Sequence, residues 1–200
     1  MPEQNWAGYR DGEKGLAVLN RGLPGNLTSD STMMLSLMRS ARIAAYGYGG
    51  GYERGMSSDT GLMIDREIEF DYALVPHTGD WRQAEVYRHG LEFNNPLFCR
   101  KAGIHTGKLP KVWGLFEVSK PNVVVTTLKQ AKDGSTILRL YEASGTATPG
   151  VTIKSKAKIG SANEANLMED PVRELKVKMD SVRFDLGPYE IKTFHFRFKT

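Results

Sequence analysis

The stretch STILRLYEASG, residues 135–145, decides the fold. Side chains alternate faces along a strand, so Ile137, Arg139 and Tyr141 share one side, and Leu138, Leu140 and Glu142 share the other. Each side is mostly apolar and each carries one charge. The segment reads as a strand that runs into a turn and is covered on both faces.

Working outward, the same two-residue period governs most of the chain. Upstream, PNVVVTTLKQ is a β-branched run, and Asp133-Gly134 is a hairpin turn joining it to TILRLYEA. GLAVLN (15–20) and TMMLSLMRS (32–40) read as strands on either side of the turn-rich RGLPGNLTSD. In REIEFDYAL the alternation places Ile68, Phe70, Tyr72 and Leu74 inward. VTIKSKAKI sets Lys154, Lys156 and Lys158 on a solvated face, opposite Val151, Ile153 and Ile159. ELKVKMD, SVRFDL and YEIKTFHFRFK also alternate, the last with Phe194, Phe196 and Phe198 on one face and His195, Arg197 and Lys199 outward. At least eight strands with turns between them describe an all-β fold, an antiparallel sandwich or barrel. GDWRQAEVYRHGLEF breaks the period: Asp80 is a candidate N-cap, and a short helix is expected from Trp81 to His89, ending before Gly90. Two long loops, residues 44–61 with six of the 21 glycines and residues 100–114 with Pro110, interrupt the strands. With no internal repeat or low-complexity tract, a single domain over residues 1–200 is expected.

Composition narrows the function classes. The chain is 40% hydrophobic and 25% charged, an ordinary globular balance. No run of ~18 apolar residues offers a membrane span. The start, MPEQNWAGYRDGEKG, has neither a basic n-region nor an apolar h-region, so no signal peptide is expected. The lone cysteine, Cys99, fits a reducing, cytoplasmic compartment and reads as structural. Charge is uneven: residues 1–100 hold 10 Lys+Arg against 13 Asp+Glu, residues 101–200 hold 17 against 10. The basic half is better read as lysines on strand faces, which also discourage edge pairing, than as a nucleic-acid surface.

Chemistry-bearing patterns are sparse. His77, His89, His105 and His195 show no metal-ligand spacing. His195 is expected on the solvent side, and His77 at a strand end where it organises a turn. YGYGGGYERG, residues 46–55, lacks the following helix that a phosphate cradle needs. Its Tyr46, Tyr48 and Tyr52, and Trp113 on the second loop, are candidates for stacking on a sugar ring. Glu142, Glu164, Glu169 and Glu190 are, on composition, the acids available for a paired-carboxylate hydrolysis, and spacing does not show whether any two of them meet. The residues alone describe an all-β domain with no visible catalytic set.

The order of several phrases resembles the C-terminal β-domain of glycoside hydrolase family 38 α-mannosidases: GEKGLAVLNRGLPG, MMLSLMRS, FDYALVPHTGDW, NNPL, PNVVVTTLK, ILRLYEASG, NEANLMED and PYEIKTFHFRF. The resemblance implies a large β-sandwich of the supersandwich, galactose-mutarotase-like kind. It also implies that zinc, the nucleophile and the acid/base residue belong to a catalytic domain absent from this chain, which carries no cofactor of its own. The expected role is a non-catalytic domain that packs on and shapes the catalytic domain of the same α-mannosidase, inactive alone; the alternative is an independent carbohydrate-binding module. A mannoside ligand and self-association into a homo-oligomer are further expected partners, with neither nucleic acid nor membrane. Some eukaryotic members of the family have an arginine near the cleft where this chain has Lys129. Cleft or interface candidates are thus Lys129, Arg139, Tyr141 and Glu142. Arg139 is expected to pair with Glu169, Glu164 or Glu142, because a charge on an apolar strand face is tolerable only when paired and hydrogen-bonded.

Overall fold

The computed structural model describes residues 3–38 and 67–199. It is mostly β, 48% strand against 5% helix, and all its sheets are antiparallel. The chain gathers into two compact units, residues 1–101 and 102–200.

In the first unit, β1 (Trp6–Asp11), β2 (Lys14–Asn20) and β5 (Tyr72–Thr78) form a sheet in the order β1-β2-β5, beside the hairpin of β3 (Asn26–Ser29) and β4 (Thr32–Leu35). Helix α1 (Val86–Asn94) covers one sheet face, closing a small core of Ala17, Leu19 and Val86 against Trp6, Ala73, Val75 and Trp81.

Two expectations are corrected here. Tyr72 and Leu74 do not point inward; they are 55% and 59% exposed. The register pairs Ala73 with Leu19 and Val75 with Ala17, so the small side chains of β5 face the helix. A slip of one residue exchanges the two faces of a strand, and close helix packing selects the smaller set. The helix also begins later than expected. Asp80 Oδ1 accepts hydrogen bonds from the Arg82 and Gln83 amides at 2.9 Å, but what it caps is a turn over residues 81–85. Gly90 lies inside α1 instead of ending it. A Cβ there would sit 2.8 Å from Trp6 Cδ1, so glycine lets the helix approach the sheet.

In the second unit, β7 (Val123–Gln130), β8 (Thr136–Glu142), β10 (Ile159–Ala165), β11 (Pro171–Glu174) and β13 (Ile191–Phe198) form a five-stranded sheet in the order β11-β10-β13-β8-β7. A second sheet, β12-β9-β6, comprises β12 (Ser181–Leu186), β9 (Thr148–Ser155) and β6 (Phe116–Val118). Leu138, Leu140, Phe194 and Phe196 from the larger sheet meet Val151, Ile153, Val182 and Phe184 from the smaller, with Phe184 and Phe194 centroids 4.5 Å apart. This is a β-sandwich core built by period-two patterning. The β7–β8 hairpin turns at Asp133-Gly134 as expected, with Gly134 at φ 80 and its amide donating to Ala131 O at 3.1 Å. ELKVKMD, by contrast, is not a strand beyond Glu174. Leu175 and Val177 still pack on the core, but Met179 and Asp180 turn the chain at positive φ.

Candidate functional site

Three strands bring the chemistry-bearing residues of the second unit onto the outer face of its large sheet. The register sets Lys129 on β7 opposite Ile137 on β8, and Arg139 opposite both Thr127 on β7 and Thr193 on β13. Ile137, Arg139 and Tyr141 thus share this face with Lys129, Thr193 and His195, while Leu138 and Leu140 fill the core on the other side.

The charge on β8 finds its partner in the loop between β10 and β11. There, the Glu169 amide donates to Asn166 O, the Asp170 amide donates to Asn166 Oδ1, and Glu169 sits at φ 75. The Glu169 carboxylate lies 2.7 Å from Lys129 Nζ and 3.6 Å from Arg139 Nη2. The Arg139 guanidinium also donates from Nε to Thr193 Oγ1 (2.9 Å) and from Nη2 to Leu167 O (3.0 Å). Of the three acids expected as partners for Arg139, Glu169 is the one in place, and it is shared with Lys129. Beside this pair runs a groove of ≈ 550 Å³ lined by Lys129, Lys132, Asn163, Glu169, His195 and Arg197.

His195 corrects an expectation: it is buried, 7% exposed, in the middle strand of five. The β7–β8 turn closes over it. Ser135 Oγ lies 2.8 Å from His195 Nε2 and also hydrogen-bonds Asp133, whose carboxylate is 3.7 Å from the same Nε2 and is paired with Arg197. The residue types are those of a nucleophilic triad, but the wiring is not. The acid of a triad must hold Nδ1 so that Nε2 faces the serine. Here acid and serine crowd the same nitrogen, Nδ1 finds no hydrogen-bond partner among the described residues, and Ser135 is buried. The Ser135 hydroxyl and amide hold the Asp133 carboxyl below its usual range. The cluster staples a hairpin turn and has no exposed nucleophile.

Glu142 lies on the core side at the end of β8 and is fully buried. No cation meets it. Oε1 accepts from Asn122 Nδ2 (2.8 Å), the Ser144 amide (2.8 Å) and the Ser144 hydroxyl. Oε2 accepts from the amides of Gly145 (2.7 Å), Thr146 (3.1 Å) and Tyr189 (3.1 Å). Burial alone would raise its pKa, but the Ser144 hydroxyl, the Tyr189 amide and Asn122 outweigh burial and pull it down to about 2. The carboxylate locks the β8–β9 turn to the segment before β13.

The other acids are committed as well. Glu164 Oε1 and Glu190 Oε1 grip Lys192 Nζ at 2.9 and 3.1 Å, and Arg173 reaches Glu164 Oε2 at 2.5 Å. Among the described residues no group of three or more His, Cys, Asp or Glu is placed to hold a metal ion. Trp113 is 49% exposed on the irregular segment just before β6, and Cys99, expected to be structural, is exposed. Tyr46, Tyr48 and Tyr52 lie outside the described residues. Sequence reasoning missed the sharing of Glu169 by two cations and the burial of His195. It also missed a tryptophan-lined pocket in the first unit, whose only signal was the alternation of WAGYRD.

The family model described as "Glycosyl hydrolases family 38 C-terminal beta sandwich domain" matches residues 122–194, which span β7 through β12 and the first half of β13. Alpha-mannosidase 2C1 of Mus musculus is 28% identical over 195 residues, and that of Homo sapiens 29% over 193. The matches take in 94% and 93% of this chain but only 17% of each relative, so the chain spans about a sixth of their length. Two solved structures share the fold at a TM-score of 0.74 over 98% of the chain: a family 38 glycosyl hydrolase from Enterococcus faecalis (17% identity, 22% of that chain) and an alpha-mannosidase from Enterococcus faecalis V583 (19%, 21%).

Proposed function

We propose, for a chain whose residues 122–194 match the model of the C-terminal β-sandwich domain of family 38 glycosyl hydrolases, that it is the non-catalytic C-terminal part of an α-mannosidase. On this reading it packs on the catalytic domain of the same polypeptide and helps to shape the cleft. One observation carries the proposal: the four acids offered for a paired-carboxylate hydrolysis, Glu142, Glu164, Glu169 and Glu190, are already committed within the fold. Glu142 is held by backbone amides, Glu164 and Glu190 by Lys192, and Glu169 by Lys129 and Arg139. A retaining or inverting glycosidase needs two carboxyl groups free to face the substrate, one of them able to give up a proton.

The outer sheet face is the surface offered to the catalytic domain. Lys129 is half-exposed, and Glu169 holds its ammonium in place. A lysine tethered in this way presents a point charge where an arginine would present a planar fork. Zinc and the reacting carboxylates belong, on this reading, to the catalytic domain, and a cytoplasmic setting agrees with the one exposed cysteine. Purified alone, the chain releases no 4-nitrophenol from 4-nitrophenyl α-mannoside. Activity that co-elutes with the chain and disappears in a Glu164→Gln or Glu169→Gln variant overturns the proposal.

A further inference from the structure

The first unit contains a pocket that takes no part in the site above. It opens at the end of the helix-covered sheet face, has a volume of ≈ 280 Å³, and is lined by Trp6, Arg10, His77, Asp80, Trp81 and Arg82. Its origin is legible in the strands. Trp6, Gly8 and Arg10 alternate on one face of β1, and the register sets Gly8 beside Ala17 and Arg10 beside Gly15. α1 and Trp81 cover this face near Trp6, but at Gly8 and Gly15 the sheet offers no side chains of its own, which leaves a hollow. A glycine within a strand weakens it and commonly marks a place where something else comes close to the backbone. At Gly15 that close neighbour is the His77 ring, lying against the backbone where a Cβ would be. At Gly8 a Cβ would sit 3.3 Å from Trp6 Cζ3.

The walls combine two kinds of group. Trp6 and Trp81 stand with centroids 5.6 Å apart and planes tilted by 44°, and the Arg82 guanidinium lies 4.3 Å over the Trp81 ring. Between them are Asp80, whose Oδ2 lies 3.3 Å from Arg82 Nη1, and His77, whose Nδ1 is shielded and finds no hydrogen-bond partner among the described residues.

We propose that this pocket binds a single hexopyranose ring, with its C–H face against the indoles and its hydroxyls bridging Asp80, Arg10 and His77. The volume falls just below that of most small-molecule pockets, which run about 300–1,000 Å³, and suits one ring. Apolar walls with a few converging polar groups are what an amphipathic ring needs, and indoles supply a rigid apolar face with a polar edge. A bound anion would meet the Asp80 carboxylate, and a purely apolar ligand would leave the acid and the guanidinium desolvated. A sugar satisfies both. This inference stands apart from the assignment of the chain to a mannosidase, since a sugar could be held here whatever the parent does.

The test is titration of the 200-residue chain with methyl α-mannopyranoside, followed by the indole N–H resonances of Trp6, Trp81 and Trp113, with sorbitol as the acyclic control. The expected result is movement of the Trp6 and Trp81 signals at a Kd on the order of 1 mM, with Trp113 still and no response to sorbitol. Gly8→Leu fills the hollow from an exposed strand position and is expected to weaken binding at least tenfold, about 1.4 kcal/mol, with near-ultraviolet circular dichroism retained. If that variant does not fold, Arg10→Ala decides: a loss of about threefold or more supports the pocket, and unchanged affinity overturns it. Silence of Trp6 and Trp81 in folded protein, or movement of Trp113 alone, also overturns it. The aryl-mannoside assay does not depend on this outcome, so the two readings fail separately.

Discussion

Replacing Glu142 by glutamine removes an acceptor from a site built of donors. Oε2 takes the amides of Gly145, Thr146 and Tyr189, and Oε1 takes Asn122 and both donors of Ser144. A glutamine has one oxygen and must turn its NH₂ toward one of these groups, leaving buried amides unsatisfied. The carboxylate's pKa falls from 4.5 to about 2. At about 1.4 kcal/mol per pH unit this is roughly 3 kcal/mol favouring the charged form in the fold. Because the folded pKa is the lower one, that stability is fully present above about pH 4.5 and is lost as the pH falls toward 2. Urea unfolding of wild type and Glu142→Gln, followed by circular dichroism and by exchange of the Gly145, Thr146 and Tyr189 amides, measures it. The variant is expected to lose about 3 kcal/mol at pH 7, with faster exchange of those amides and a gap that narrows below pH 4. A variant within about 0.5 kcal/mol of wild type at pH 7, the scatter of surface substitutions, refutes the reasoning.

Arg139→Met should be tolerated better than Arg139→Ala, because methionine keeps the packing that alanine gives up; paired melting temperatures check the order. Lys192→Met leaves Glu164 and Glu190 facing each other at a largely buried position, at a cost of about 2–3 kcal/mol. Burial alone lowers the Lys192 pKa, but Glu164 and Glu190 raise it, so its contribution is lost only as the pH climbs beyond the usual lysine value. Burial alone raises that of Glu164, but Lys192 and Arg173 lower it, so its contribution is lost as the pH falls below the usual carboxylate value. Stability measured across pH should therefore flatten at both extremes in the Lys192 variant. Gly145→Ala combines a φ of 73 with a Cβ placed against the Tyr189 hydroxyl, and a loss above about 1 kcal/mol is expected in urea unfolding.

Where one physical effect dominates, the sequence is easy to read. The β7–β8 hairpin has β-branched alternation, Asp-Gly at the turn and both faces filled, and it forms where expected. VTIKSKAKI forms only in part: Lys154 lies on the exposed face of β9 opposite buried Val151 and Ile153, but the strand stops at Ser155, and Lys156 and Lys158 lie in the connection to β10. Reading fails where two faces are nearly equivalent. REIEFDYAL carries larger apolar side chains on the face that ends up exposed, and only the close approach of α1 at Gly90 favours Ala73 and Val75. His195 alternates with phenylalanines and so reads as outward. It is outward, yet Ser135 and Asp133 from a turn sixty residues away in sequence cover it. The partner of Arg139 could be narrowed to three acids but not to Glu169, since that choice depends on a loop geometry with positive φ that no period encodes.

Labelling of lysines in the intact parent polypeptide and in the isolated 200-residue chain tests the central claim most directly. If the outer sheet face is the docking surface, Lys129 and Lys132, which line its groove, are modified readily in the isolated chain and protected in the parent, while Lys154, exposed on β9 of the other sheet, reacts alike in both. Equal labelling of Lys129 and Lys132 in the two contexts would contradict it.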